Sequence, residues 1–106
     1  MKITISHNKT REEVIRDIDR SVDDLFRQVP IAGLQILNQQ KTWNGNLMNF
    51  SMTGKMGFFS APIRGTVLVS DHDVTLDVEL PGILSKFIPE EKIRAQVEGK
   101  IRGLLA

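Results

Sequence analysis

Apolar residues recur with two different periods in the first part of the chain, and each period predicts one element. Near the N-terminus, Ile3 and Ile5 alternate with polar residues, which is typical of a half-buried strand. In the segment that follows, up to Gln28, apolar positions recur every three to four residues, as in an amphipathic helix. Thr10 stands three residues before Glu13 and forms a capping-box pair that predicts the start of this helix. The apolar stripe consists of Val14, Ile15, Ile18, Val22, Leu25 and Phe26.

The polar face of this helix mixes acidic and basic residues. Glu12 and Asp23 each precede an arginine by four residues, a spacing that favours ion pairs along a helix. Acid/base or metal chemistry is the alternative for these carboxylates. No histidine joins them, so we interpret the face as solvated and salt-bridged.

A hairpin is predicted where two strand patterns, 35–43 and 47–52, flank Asn44-Gly45. Both residues tolerate the positive φ of a type I′ turn. With Asn44 and Gly45 as the loop, Trp43 lies opposite Asn46. The residues predicted to share the core face of the sheet are Trp43, Met48, Phe50 and Met52.

A second hairpin is predicted from strands at 63–69 and 74–80, with its turn in "SDHD". If Asp71 and His72 form its centre, one face is apolar and the other polar, as expected of a sheet covered on one side. The predicted pairs are Val69 with Val74, Val67 with Leu76, Gly65 with Val78, Thr66 with Asp77 and Arg64 with Glu79.

The remaining sequence predicts a short helical turn at 83–87 and a last helix that starts at Pro89 and reaches about Leu105. The element order is therefore β-α-β-β-β-β-α. Strands and helices do not alternate, so we expect an α+β fold: one antiparallel sheet with helices packed on one face, in a single domain over residues 1–106.

Composition restricts the function. The chain has 106 residues, 25% charged and 41% apolar, and a net charge of only +1, which argues against disorder and against nucleic-acid binding. It has no cysteine, no signal-peptide pattern and no apolar run long enough to span a membrane. We therefore expect a cytoplasmic protein without a transmembrane segment.

No catalytic or cofactor motif is present. In "GKMG", residues 54–57, the lysine precedes Met56 rather than Ser or Thr, and strand patterns flank it, so it matches neither a Walker A loop nor a KH clamp. His7 follows a strand, and His72 lies between Asp71 and Asp73 in a turn, where a solvated role is favoured over metal or base chemistry. We expect no cofactor, no metal and no enzymatic activity.

Large apolar residues accumulate in two segments that we predict to be irregular. The segment from Thr53 to Pro62 contains glycines and a proline, so we expect a bend rather than a continuous strand. Such residues either fill the core or form an apolar interaction surface. The candidate surface residues are Met56, Phe58, Phe59, Ile83, Leu84 and Phe87.

Three motifs, in order along the chain, resemble the polyhydroxyalkanoic acid system family: "WNGNLMNF" from Trp43, "GTVLV" from Gly65, and "LPGILSKF" from Leu80. The resemblance implies a small bacterial protein associated with the machinery for polyhydroxyalkanoate, an intracellular polyester stored as granules. It implies no catalytic residues, because none are established for the family.

Two hypotheses follow. The first is a non-catalytic accessory protein that binds the granule surface or granule proteins through the candidate apolar surface. The alternative is a module for a small hydrophobic ligand, with a pocket between the sheet and the last helix lined by Trp43, Phe50 and Met52. Homodimerisation is compatible with either hypothesis.

Overall fold

The computed structural model describes residues 1–28 and 33–106, apart from the side chains of Leu84, Ser85 and Phe87. The sequence "VPIAG", between the first helix and the next strand, predicts a turn, and its first four residues, 29–32, lie outside the described residues. The elements in chain order are β1 (Lys2–Ser6), α1 (Arg11–Arg27), β2 (Leu34–Asn44), β3 (Leu47–Met56), β4 (Phe59–Val69), β5 (Asp73–Glu79), α2 (Gly82–Phe87) and α3 (Glu90–Leu105).

The five strands form one antiparallel sheet in the order β1-β5-β4-β3-β2, and α1 and α3 pack on one face of it. This confirms the predicted α+β class and element order, with α2 in place of the predicted helical turn. Alternate residues of the strands and one stripe of each long helix meet in a single core. Its most deeply buried members are Met48, Leu76, Val14, Val69 and Val74.

The start of α1 also follows the prediction. Thr10 is the N-cap, and its hydroxyl accepts a hydrogen bond of 3.2 Å from the backbone N–H of Glu13. The predicted stripe is buried at Val14, Ile18, Val22 and Leu25. The cap satisfies one of the free N–H groups that every helix start leaves without a partner.

The β4–β5 hairpin has the predicted register, with Val69 opposite Val74 and Arg64 opposite Glu79. Its inner residues are buried and its outer residues are polar or exposed. The prediction succeeded because the alternation assigns each residue to a face, and the turn centred on Asp71 and His72 then selects one of the registers that keep those faces.

The β2–β3 turn is displaced by one residue from the prediction. Asn44 pairs with Leu47, so the loop residues are Gly45 and Asn46, and Trp43 lies opposite Met48 rather than Asn46. Gly45 adopts a φ of 64°. Moving a two-residue turn by one position shifts each cross-strand partner by two residues, which keeps every side chain on the same face of the sheet. The predicted core face is therefore confirmed, although the predicted turn is wrong.

A bulge interrupts β2 between Leu37 and Gln40. At this point two residues of β2, Asn38 and Gln39, oppose the single residue Met52, and Asn38 has a φ of 55°. One extra residue reverses the alternation of the strand beyond it. The earlier part of β2 therefore places Leu34 and Ile36 against the core, where both are partly buried, while Leu37 is exposed.

The predicted bend from Thr53 to Pro62 is wrong. β3 continues to Met56, β4 begins at Phe59, and the two strands pair through a loop of Gly57 and Phe58. Gly57 has a φ of 61°, and a glycine at the first loop position is typical of a type II′ hairpin turn. We call residues 53–62 the β3–β4 tip.

Pro62 fits within β4 because of the way the sheet ends. β5 pairs with β4 only from Arg64 onward, so in the part of the chain that the structure describes no strand flanks that side of β4 at Pro62. A missing N–H group on that side interrupts no ladder bond. The β3–β4 tip thus extends past the end of β5, and β2 pairs with β3 as far as Leu34, which lies opposite Met56.

Candidate interaction surface

The β3–β4 tip places three of the candidate apolar residues close together. Phe58 lies in the turn and is fully exposed, and Phe59, next to it, is 52% exposed. Met56 pairs with Phe59 across the hairpin and is partly buried against the core. The hypothesis that these phenylalanines fill the core is therefore wrong for Phe58, whose ring contributes nothing to the buried interior.

The alternation of β4 explains the position of Phe59. Ile63 is buried on the inner face, and Ala61 and Phe59 follow it at alternate positions on the same face. The inner face therefore stays apolar as the hairpin leaves the core. Phe59 continues the core surface outward, and Phe58 ends it.

The other three candidates belong to α2. Ile83 is half-buried and packs against the core, while the side chains of Leu84 and Phe87 lie outside the described residues. Ile83 therefore contributes in part to the interior, and the exposed candidates that the structure describes are those of the tip.

A cavity lies between the sheet and the helices, as the ligand-binding alternative requires, but it is small. Its volume is about 60 Å³ and its described lining is apolar, including Phe50 and Met52 but not Trp43. Pockets for drug-sized ligands usually measure about 300–1,000 Å³. The cavity therefore adds no support to the ligand-binding alternative, which stays a prediction.

Trp43 has a different role, which connects the sheet to α1. Its indole N–H donates a hydrogen bond of 2.9 Å to a carboxylate oxygen of Asp19, and Lys41 forms ion pairs with Asp19 and Asp23 at 3.3 and 3.4 Å. The hydrogen bond from Trp43, followed by the one from Lys41, holds the pKa of Asp19 below its ordinary value.

The acidic face of α1 is thus paired, but with partners other than those predicted. Asp23 contacts Lys41 of β2, and Arg27 lies 3.8 Å from Asp24. The helical spacing revealed only partners within α1. A lysine from another element cannot be found by periodicity within one helix.

Both histidines lie at the opposite end of the sheet from the β3–β4 tip. His7 is buried; its Nδ1 accepts a hydrogen bond from the backbone N–H of Lys9, and its Nε2 lies 2.9 Å from the carbonyl oxygen of Ser70. These partners require a neutral ring with the proton on Nε2, which donates to Ser70. Asp71, beside His72, forms an ion pair of 3.0 Å with Arg11.

In residues 1–28 and 33–106, no group of three or more histidine, aspartate or glutamate side chains is placed to hold a metal ion.

None of the helices in the described part of the chain combines the length and apolar character that crossing a membrane requires. Among the side chains that the structure describes, the large apolar residues that are exposed are Leu37, Phe58, Phe59 and Leu68.

Comparison with known protein families gives a match over nearly the whole chain. The family model described as "Putative polyhydroxyalkanoic acid system protein" matches residues 1–105. No curated protein and no solved structure matches the chain. Because the family model covers almost the whole sequence, the chain belongs to the polyhydroxyalkanoic acid system protein family.

Proposed function

We propose that this protein is a non-catalytic accessory protein of the polyhydroxyalkanoate system, and that it binds the apolar surface of cytoplasmic granules through the β3–β4 tip. The observation that carries the proposal is the full exposure of Phe58 at the end of a paired hairpin. Phe59, next to it, is also exposed, and it is contiguous apolar surface rather than an isolated apolar residue that marks a docking site.

The energetics of the tip suit a peripheral contact. Full burial of one phenylalanine side chain contributes about 1.5–3 kcal/mol. Phe58 has its whole side chain available and Phe59 about half. Together they support a weak, reversible attachment of one molecule.

Binding rather than catalysis is also supported by the polar groups of the molecule. Asp19, His7 and Asp73 are engaged in hydrogen bonds that connect elements or close turns. All three lie away from the exposed apolar residues of the tip.

Fractionation of granule-containing cells tests the proposal. We expect the wild-type protein to sediment with granules, and Phe58→Ser combined with Phe59→Ser to move it to the soluble fraction. Leu68→Ser is the matched control, because Leu68 is 43% exposed on the outer face of the sheet, away from the tip. Phe58→Ser alone removes no buried contact and separates loss of binding from loss of folding.

A wild-type protein that remains in the soluble fraction of granule-rich cells would overturn the proposal. So would a folded double variant that sediments as well as the wild type. Release by Leu68→Ser and by the tip variant to the same extent would show that general surface hydrophobicity, rather than the tip, causes the sedimentation.

A further inference from the structure

The strands that form the tip contain no acidic residue. Between Asp24 and Asp71 the sequence has no aspartate or glutamate, although the chain has 13 acidic residues in total. All acidic residues therefore lie on α1, on or near β5, or on the C-terminal helices. A negatively charged partner surface that contacts β2, β3 or β4 is therefore not repelled by any carboxylate on these strands.

Three basic residues lie on those strands, and two of them face a carboxylate. Lys41 is paired with Asp19 and Asp23, and Arg64 lies opposite Glu79. Lys55 is exposed, and among the described residues no carboxylate lies within ion-pair distance of it. Of these three residues, Lys55 alone has neither an ion pair nor a carboxylate opposite it among the described residues, because its cross-strand neighbours are Gln35 and Ser60. This positive charge lies at the tip, directly before Met56.

The tip separates this charge from its apolar side chains. Lys55 pairs with Ser60 on the outer face, while Met56 and Phe59 share the inner face and Phe58 lies at the end. A strand rises about 3.3 Å per residue, so the apolar residues lie within roughly 7 Å of the end of the hairpin. Interfacial segments bury their apolar side chains to about 5–10 Å, at the boundary of headgroups and acyl chains.

The backbone at the end of the tip suits a shallow insertion. Met56 and Phe59 pair with each other across the hairpin, and paired backbone groups avoid the cost of entering hydrocarbon without a hydrogen-bond partner. The lysine stem can reach back to the headgroups while the aromatic rings enter the apolar layer.

From this arrangement we infer that the β3–β4 tip inserts into the interfacial layer of an anionic lipid surface. The inference rests on the proposed function for the location of the contact, and it names the chemistry of the surface: negatively charged phospholipid headgroups over acyl chains. Phe58 and Phe59 supply the apolar contact, and Lys55 supplies the charge selectivity.

Vesicle co-sedimentation tests the inference, with phosphatidylcholine vesicles that contain or lack phosphatidylglycerol. We expect the wild type to bind the anionic vesicles more tightly, and added salt to reduce the difference. Phe58→Ser should weaken binding at least tenfold. Lys55→Ser should weaken it about fivefold, the effect of one basic residue near an anionic surface. Lys100→Ser is the matched control on the exposed face of α3 and should leave binding unchanged.

The depth of insertion has a separate readout. In Phe58→Trp, the new indole should shift its fluorescence to shorter wavelength on anionic vesicles, beyond any change from Trp43 in the wild type. Brominated lipids should quench it. An unshifted spectrum with bound protein would overturn insertion of the tip.

Amorphous polyester particles without lipid distinguish this inference from the proposed function. Binding to the particles but not to vesicles overturns the lipid inference and leaves the proposed function standing. Binding to anionic vesicles alone supports the inference and overturns attachment to bare polyester. Binding to neither overturns both.

Equal binding to both vesicle types overturns the anionic selectivity. A Phe58-dependent dimer that does not bind vesicles overturns the lipid inference and identifies a second copy of the chain as the partner of the tip.

Discussion

At the residue scale, two separate sequence motifs meet at one point in the sheet. Phe50, from the "WNGNLMNF" motif, lies directly opposite Gly65, from the "GTVLV" motif. A Cβ atom at Gly65 would overlap the backbone oxygen of Asp77 and lie 2.5 Å from Cζ of Phe50. The ring of Phe50 also stacks at a tilt on Phe26 of α1, with 5.0 Å between centroids. Glycine is therefore needed at position 65, because the ring of Phe50 occupies the space that a side chain there would take.

Replacing Gly65 should be strongly destabilising. Gly65→Ala introduces a clash with backbone as well as with a packed ring, and overpacking of this kind costs about 1–3 kcal/mol. In a domain of this size we expect the midpoint of thermal unfolding to fall by roughly 4–8 °C for each kcal/mol. Circular dichroism on heating measures the change.

The control uses the same substitution in open space. Gly99 lies on the exposed side of α3, where a Cβ atom would meet nothing within 4 Å, so Gly99→Ala should stabilise the protein by up to about 1 kcal/mol through helix propensity. Equal effects of the two substitutions would contradict the packing explanation for Gly65.

At the element scale, the sequence predicted the elements better than the connections between them. Periodicity located α1, α3 and the β4–β5 register, because each depends on residues close in sequence. The β3–β4 hairpin was missed because glycines and Pro62 were interpreted as strand breakers. Gly57 at the first position of a two-residue loop was the signal for a turn. The tolerance of Pro62 depends on where β5 ends, which the local sequence does not contain.

The contact of α1 with β2 makes stability depend on pH. Asp19 accepts hydrogen bonds from Trp43 and Lys41, which lower its pKa in the folded protein. Because folding favours the charged carboxylate, this contribution is fully present above the ordinary pKa of 3.8 and is lost as pH falls through the lowered value. We expect Asp19→Asn to be less stable than the wild type near neutral pH and equally stable at strongly acidic pH.

Urea unfolding at a series of pH values measures this difference. The asparagine keeps an acceptor for Trp43 and removes only the charge, so the comparison isolates the electrostatic part. Asp24→Asn is the control, because the side chain of Asp24 forms an exposed ion pair with Arg27 on the same helix. A difference between Asp19→Asn and the wild type that is the same at every pH would contradict the argument.

At the scale of the whole molecule, the core and the candidate site occupy different parts of an elongated shape of 42 × 24 × 19 Å. The helices cover the sheet around Met48, Val69 and Leu76, whereas Lys55, Phe58 and Phe59 are exposed at the tip. The sequence identified the apolar residues of the tip, but it could not distinguish core from surface. That difference depends on how far the helices reach along the sheet.

Hydrogen exchange should show this division. We expect backbone amides of the tip to exchange through local opening, orders of magnitude faster than those of Val67, Val69 and Leu76, which need global unfolding. Phe58→Ser should leave the slow amides unchanged. Uniform protection along β3 and β4 would indicate that the tip is part of the cooperative core, and would contradict the division described here.

The bulge at Asn38 also affects how copies of the chain can meet. β2 is an edge strand eleven residues long, and such edges are templates for strand addition and fibril growth. The bulge divides its regular pairing into Leu34–Leu37 and Gln40–Asn44, so an added strand would lose register after four or five residues. The residue that turns Leu34 and Ile36 toward the core also shortens the edge on which a polymer could start.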